Sequence, residues 1–182
     1  EIKVDYHTII GANAPNAPRI GMTFDIAKNY EKLMYLGKGP HANYSDRNYA
    51  SHIGLYSGKP ETINYKYAYP EEYGNHTETQ WFSLANSSNR GILVKGEQPL
   101  NFSVQSFSTD NLQEANFLNE LNDRDVYSVN IDLSQQGVGG DNTWSYRAQA
   151  HEEYRNKPGT YSYSFYLIPF TSSVKNPEKI KW

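Results

Sequence analysis

Apolar and polar side chains alternate along much of this chain. Ile2, Val4, Tyr6 and Thr8 share one face against Lys3, Asp5 and His7, and Ile20, Met22, Phe24 and Ile26 share another against Gly21, Thr23 and Asp25. A two-residue period puts each set on one side of a pleated backbone, so both segments read as strands with one wet face. Ile63, Tyr65, Tyr67 and Tyr69 repeat the pattern against Asn64, Lys66 and Ala68, as do Tyr127, Val129, Ile131 and Leu133 against Ser128, Asn130, Asp132 and Ser134. Tyr161, Tyr163, Phe165 and Leu167 oppose Ser162, Ser164, Tyr166 and Ile168, and the apolar residues on both sides predict a last strand covered on both faces. Shorter candidates run over 79–84, 91–95 and 101–107. Turn-forming clusters, Asn86 to Asn89 and Gly96 to Pro99, separate them.

Only Leu112, Ala115, Leu118 and Leu121 follow a helical period, and Asp110 with Gln113 three residues on resembles a capping box. One short helix among many strands predicts an all-β fold, an antiparallel β-sandwich. The 182 residues fit a single domain over 1–170, followed at 171–182 by a weakly tied tail that contains Pro177 and ends at Trp182. Neither an internal repeat nor a low-complexity segment interrupts it.

Composition narrows the function classes. The 17 basic and 20 acidic residues nearly cancel, which leaves no electrostatic footprint for nucleic acid or an anionic membrane. No apolar run approaches the roughly 20 residues of a membrane span. The first residues, Glu1, Ile2, Lys3, Val4 and Asp5, lack a signal-peptide pattern, so the chain reads as soluble. Without cysteine there are no disulfides or thiolate ligands, and cytoplasm and periplasm both stay open. His7, His41, His52, His76 and His151 show no close metal-ligand spacing, so no metal is expected. The 16 tyrosines favour half-buried pleated surfaces and also supply rigid contact area for ligands.

Two segments concentrate the candidate chemistry. In the run from Gly137 through Val138, Gly139, Gly140, Asp141, Asn142 and Thr143 to Trp144, paired glycines and Asx residues place a large ring on a loop. Gly139 and Gly140 are expected to allow positive φ and close backbone approach, while Asp141 and Asn142 bond back to fix the loop. From these residues alone, Trp144 reads as the cap of a sandwich edge. In the second segment, Gly37, Gly39, Pro40, Asn43, Tyr44, Asp46 and Arg47 describe a tight turn leading out of a strand, with Asp46 and Arg47 as an ion pair or turn lock. These glycines are not followed by the helix and Lys-Ser/Thr end of a phosphate cradle. Glu71 and Glu72 read as a solvated turn, and Trp81 as core.

Taken together, the two segments resemble the C-terminal, small-chain (domain 5) module of lac-type bacterial β-galactosidases of glycoside hydrolase family 2. Further matching positions are Pro18, Arg19, Ile20 and Gly21; Pro70, Glu72 and Gly74; and Pro158, Gly159, Tyr161, Tyr163 and Phe165. The chain departs from the family at Ser45, where proline is usual, at Asn142 and Thr143, where Asp and Ser are usual, and at His76, where Arg is usual. At His76 the chain lacks the fixed charge that arginine would bring to any charge-assisted contact made there.

The resemblance implies a supersandwich of galactose-mutarotase-like type that follows a catalytic barrel and lacks the family's upstream strands. It also implies that Trp144 reaches the mouth of the catalytic pocket and stacks on sugar, reversing the edge-cap reading. The family's catalytic glutamates have no counterpart here, so no catalytic residue is expected. A βα barrel needs about 250 residues, and retaining hydrolysis needs carboxyls roughly 5–5.5 Å apart. The parent family hydrolyses terminal non-reducing β-D-galactose residues of β-galactosides, commonly with Mg and Na ions bound outside this domain, as a homo-oligomer. The alternatives are a free-standing carbohydrate-binding module and an aldose-epimerase-like enzyme. The latter requires His41 or His76 to face a glutamate in a closed pocket.

Overall fold

The structure is a computed structural model that describes residues 1–65, 67–142 and 144–171. The expected tail beyond residue 171, with Pro177 and Trp182, lies outside the described residues, as do Lys66 and Thr143. Eight strands carry the fold: β1 (Ile2–Ile10), β2 (Arg19–Ala27), β3 (Lys32–Gly39), β4 (His52–Gly58), β5 (His76–Ala85), β6 (Gly91–Gln105), β7 (Val126–Gln135) and β8 (Gly159–Phe170). Among the described residues, helical structure is limited to the short α1 (Pro60–Ile63) and α2 (Thr109–Glu114) and to 3-10 turns at Leu118–Glu120, Tyr146–Ala148 and Glu152–Tyr154. This is the all-β sandwich-like fold expected from the alternation. No helix among the described residues is long and apolar enough to cross a membrane.

All strand pairings are antiparallel. One path runs β1-β8-β6-β5-β3-β4, while β7 pairs with β6 and carries β2 on its other edge. The long β6 creates the two layers. Its first half, Gly91 to Gly96, pairs with Phe170 to Phe165 of β8, and its second half, Asn101 to Gln105, pairs with Asp132 to Ser128 of β7. β7 and β8 therefore face each other across the interior, where the Tyr163 hydroxyl donates to the Ile131 carbonyl at 2.7 Å. Leu33, Tyr35, Phe82, Phe102, Ile131 and Phe165 fill the space between. Burying each such side chain contributes roughly 1.5–3 kcal/mol.

A second apolar cluster lies on the opposite face, where Trp81, Ala85, Leu93, Ile168 and Phe170 meet. β8 thus feeds both clusters, Tyr163 and Phe165 the first and Ile168 and Phe170 the second, so the two-sided cover expected of it holds in its second half, while Thr160 and Ser162 in its first half are exposed. Trp81 belongs to this packed interior, as expected.

The structure corrects four expectations. The cluster Gly96 to Pro99 is no turn, because the strand passes through it. Pairing with β8 ends at Gly96 and pairing with β7 starts at Asn101, so Pro99, which has no N–H, falls where neither ladder needs a donor. The alternating tyrosines after Ile63 form no strand. Pro60 starts α1, and Tyr65, Tyr67 and Tyr73 meet edge to face in a loop instead.

The helix expected up to Leu121 stops at Glu114. Glu120 accepts from the backbone N–H groups of Asn116 (2.7 Å) and Phe117 (3.2 Å) and turns the chain there, while Ser108 rather than Asp110 provides the N-cap. Finally, Gly37 and Gly39, expected in the turn, belong to β3 itself, and β4 follows where the sequence pattern shows no strand. Gly37, Gly39, Gly54 and Gly58 interrupt their side-chain pattern, and a Cβ on Gly39 would lie 2.3 Å from the Tyr35 hydroxyl.

Candidate functional site: the Trp144 loop

The glycine-rich run leaves the end of β7 and is held at each step. Gly137 N–H donates to Tyr154 O at 2.9 Å. The next two amides, of Val138 and Gly139, donate to the carboxylate of Asp46 at 3.2 and 2.8 Å. Asp141 N–H donates to Arg147 O at 2.6 Å. The Asn142 carbonyl oxygen then accepts from Trp144 N (3.2 Å), Ser145 N (3.0 Å) and Ser145 Oγ (3.1 Å). This is the Asx turn that the side-chain type allows.

Asp141 reaches outward instead, and its carboxylate lies 2.8 Å from Nε2 of His151. That contact raises the His151 pKa above its ordinary value. Within this frame the Trp144 side chain is 84% exposed, against 8% for Trp81. A ring that caps a sandwich edge would lose most of its surface to the edge, so Trp144 is not such a cap.

The glycines act differently from expectation. Neither Gly139 nor Gly140 adopts a left-handed φ; Gly74 and Gly159 are the positive-φ glycines among the described residues. What the run requires is space. A Cβ on Gly140 would lie 2.3 Å from the backbone oxygen of Arg147, and one on Gly137 2.5 Å from the Asp46 carboxylate. At Gly139 the nearest atom would be 3.3 Å away, a tight but adjustable contact. Gly137, not singled out as loop-shaping, is thus more constrained than Gly139.

The second sequence segment supplies the anchor. Asn43 is fully buried and ties the turn to the start of β5, donating to Lys38 O and His41 O and accepting from Thr77 N and Thr77 Oγ1. Tyr44 and Arg47 exchange backbone hydrogen bonds, and the Arg47 guanidinium sits 5.3 Å above the Tyr44 ring. Asp46 and Arg47 therefore form no ion pair: one faces the glycine-rich loop and the other an aromatic ring. Asp46, Gly139, Gly140, Asp141, His151 and Tyr154 line a cleft of about 210 Å³. The carboxylates at this cleft are already engaged, Asp46 by two amides and Asp141 by His151.

Glu72 is not part of a solvated turn. Its carboxylate accepts from Arg19 (3.1 Å) and from the Tyr44 hydroxyl (3.2 Å), and burial raises its pKa against the pull of both partners. The same Arg19 donates to Asp132 at 2.8 Å. His76 is buried, with ring centres 4.7 Å from Tyr35 and 5.2 Å from Phe102, and this apolar surrounding lowers its pKa to about 4. It is a neutral core histidine at physiological pH. His41 is exposed beside a cleft lined by Tyr65, Tyr67 and Tyr73. Neither histidine faces a glutamate, so the epimerase geometry is not formed by them. Among the described residues, no group of three or more His, Asp or Glu side chains could hold a metal ion.

Sequence reasoning singled out Trp144 and Asn142 from local signals. It missed Asp46 as the loop's anchor and His151 as the partner of Asp141, because each contact joins residues that share no turn or period.

The chain matches known proteins along most of its length. It is 30% identical over 154 residues to the β-galactosidase of Priestia megaterium, covering 85% of this chain and 15% of that protein. It is 31% identical over 171 residues to that of Photobacterium profundum, covering 93% and 16%. Against the β-galactosidase of Pseudoalteromonas haloplanktis the identity is 34% over 154 residues, covering 84% and 14%. The chain thus spans about 15% of the length of these relatives. The family model described as the β-galactosidase small chain matches residues 1–167, and with that extent this chain belongs to the β-galactosidase small-chain family.

Proposed function

We propose that this chain acts as a non-catalytic β-sandwich domain of a β-galactosidase, with Trp144 as its contribution to the sugar pocket. The parent reaction is hydrolysis of terminal non-reducing β-D-galactose residues in β-galactosides, with the bond-cleaving carboxylates on a catalytic barrel of the same polypeptide. The Mg and Na ions of the parent family belong outside this domain in this reading, and the parent enzyme is a homo-oligomer.

One observation carries the proposal: a large ring is 84% exposed at the end of a loop whose backbone is pinned from several directions. An exposed tryptophan on a floppy loop would be an incidental surface feature, but a rigid display implies a partner for the ring. One face of a galactose ring is a patch of C–H groups. An indole offers matching apolar area with few torsions to freeze. Such a contact selects a sugar without moving a proton.

Incubating the purified chain with a chromogenic β-galactoside tests the non-catalytic part, and the expected result is no turnover. Turnover that survives repurification and disappears when one carboxylate of this chain is replaced would overturn the proposal. Tight binding of a galactoside by the chain alone would instead favour a free-standing carbohydrate-binding module. In a β-galactosidase carrying this chain, Trp144→Ala should raise KM and weaken competitive sugar inhibitors, since the ring touches the bound sugar. Unchanged affinities would remove Trp144 from the pocket.

A further inference from the structure

We infer that Asp46 is a positioning residue for Trp144, its carboxylate setting the path of the glycine-rich loop and through it the pose of the indole. That this pose meets a sugar rests on the function proposed above; the anchoring does not.

The geometry converges on this one carboxylate. Its two oxygens take consecutive amides of a loop 92 and 93 residues away in sequence, Oδ1 from Val138 and Oδ2 from Gly139. Hydrogen bonds to an ionised acceptor are about twice as strong as neutral ones. Gly137 packs against the same group so closely that a Cβ there would lie 2.5 Å from Oδ2. The turn that presents Asp46 cannot easily drift, because Asn43 is buried and bonded to Lys38, His41 and Thr77, and Tyr44 is clasped to Arg47.

On the far side of the loop Asp141 is held by His151, and Asn142 bonds directly to the Trp144 amide. Removing Asp46 therefore frees the limb between Gly137 and Gly140 while the other attachments remain. The loop then pivots on Asp141, and Trp144 loses its fixed approach.

The test uses the purified 182-residue chain, labelled with ¹⁵N. In Asp46→Ala, the amides of Val138 and Gly139 should exchange with solvent roughly tenfold faster or more, the size expected when a hydrogen bond to a charged group is lost. The ¹H–¹⁵N NOE of the Trp144 indole, assigned by its loss in Trp144→Ala, should fall, while exchange in β5 and β6 stays as in the parent chain. A purely structural role would move β5 and β6 as well. Asp46→Asn, which retains one carbonyl acceptor, should expose one of the two amides.

Wild-type exchange and indole NOE in Asp46→Ala would overturn the inference. If Asp46→Ala does not fold, wild-type exchange at both amides in Asp46→Asn would overturn it too.

In a β-galactosidase carrying this chain, Asp46→Ala should raise KM without lowering kcat, and should add nothing when Trp144 is already alanine. A Trp144→Ala enzyme with unchanged sugar affinity would sink the stacking proposal and leave the exchange result standing. A Trp144→Ala effect with none from Asp46→Ala would sink the positioning role alone.

Discussion

Arg19 and Asp132 meet at 2.8 Å where the start of β2 pairs with the second half of β7, and the Asp132 side chain has no exposed surface. Arg19 is shared, because its other terminal nitrogen reaches Glu72 at 3.1 Å and Glu72 in turn receives the Tyr44 hydroxyl. One guanidinium therefore serves two carboxylates. Gly21 makes room for the arrangement, since a Cβ there would lie 2.0 Å from Asp132 Oδ1. That oxygen has no hydrogen-bond partner among the described residues, an uncompensated burial of the kind that favours the protonated acid.

This cluster predicts a pH dependence. Burial, with a further push from the Glu72 charge, raises the Asp132 pKa from 3.8 to about 7, while Arg19 opposes the shift. The folded chain then retains a proton through a range where the unfolded chain has lost it. Its contribution to stability is complete below about pH 4, falls as pH rises towards 7, and is constant above. Asp132→Asn cannot ionise, so urea unfolding from pH 4 to 8 should show the parent chain losing on the order of a few kcal/mol relative to the variant. Because the exposed carboxylates are common to both proteins, their titration cancels in the difference. Parallel stability curves would show that Arg19 keeps Asp132 ionised throughout.

Full alternation marks β1 and β2, which have one solvated face, and β8, which carries an apolar run, while shorter runs at 79–84, 91–95 and 101–107 mark parts of β5 and β6. β7 alternates too, yet Ser128, Asn130 and Asp132 on its polar face are buried, so its pattern reflects polar groups taken inside the protein rather than a wet face. β3 and β4 escape because glycines take the places where side chains would reveal the pleat, at Gly37, Gly39, Gly54 and Gly58. Tyr65 and Tyr67 mislead for the opposite reason: they alternate, yet they meet ring to ring in a loop rather than across strands. At the site, Asn142 and Trp144 are legible because an Asx turn is local. The contact between Asp46 and Gly139 spans 93 residues and depends on β7 returning beside the turn after β3, which no local pattern encodes.

The loop glycines should separate by the space around them. Gly140→Ala places a methyl 2.3 Å from a backbone oxygen that cannot rotate away, so the loop must shift. Gly139→Ala meets only a 3.3 Å contact with the Asp46 carboxylate and has no left-handed φ to oppose it. Gly140→Ala should raise exchange at the Asp141 amide, which bonds to Arg147 O, while Gly139→Ala should leave it close to the parent value. Equal effects would mean that the backbone relaxes around either methyl.

Asn43→Ala should be among the costlier polar substitutions. It removes the partners of the part-buried Lys38 and His41 carbonyls and of the Thr77 amide and hydroxyl, and the Thr77 contacts are buried, where water does not replace them. Each stranded buried group costs about 1–3 kcal/mol, so a total loss of about 2–4 kcal/mol is expected, measured by thermal or urea unfolding. A loss below about 0.5 kcal/mol, the usual size for a surface change, would show that the turn after β3 is held without it.

Trp81 and Trp144, two of the chain's three tryptophans, give an internal comparison. Trp81 is 8% exposed and packs with Ala85, Leu93, Ile168 and Phe170, so Trp81→Ala leaves a large void and should destabilise by about 3–5 kcal/mol. Trp144 is 84% exposed, and truncating it opens no cavity, so Trp144→Ala should stay within about 0.5 kcal/mol of the parent chain. The Asn142 turn beneath it uses the backbone amide of residue 144, which alanine retains, so the loop keeps its shape. Matched urea titrations of the two variants measure both values. A Trp144→Ala chain that melts several degrees lower would place this ring in the packing of the sandwich, and its exposure could no longer be read as display.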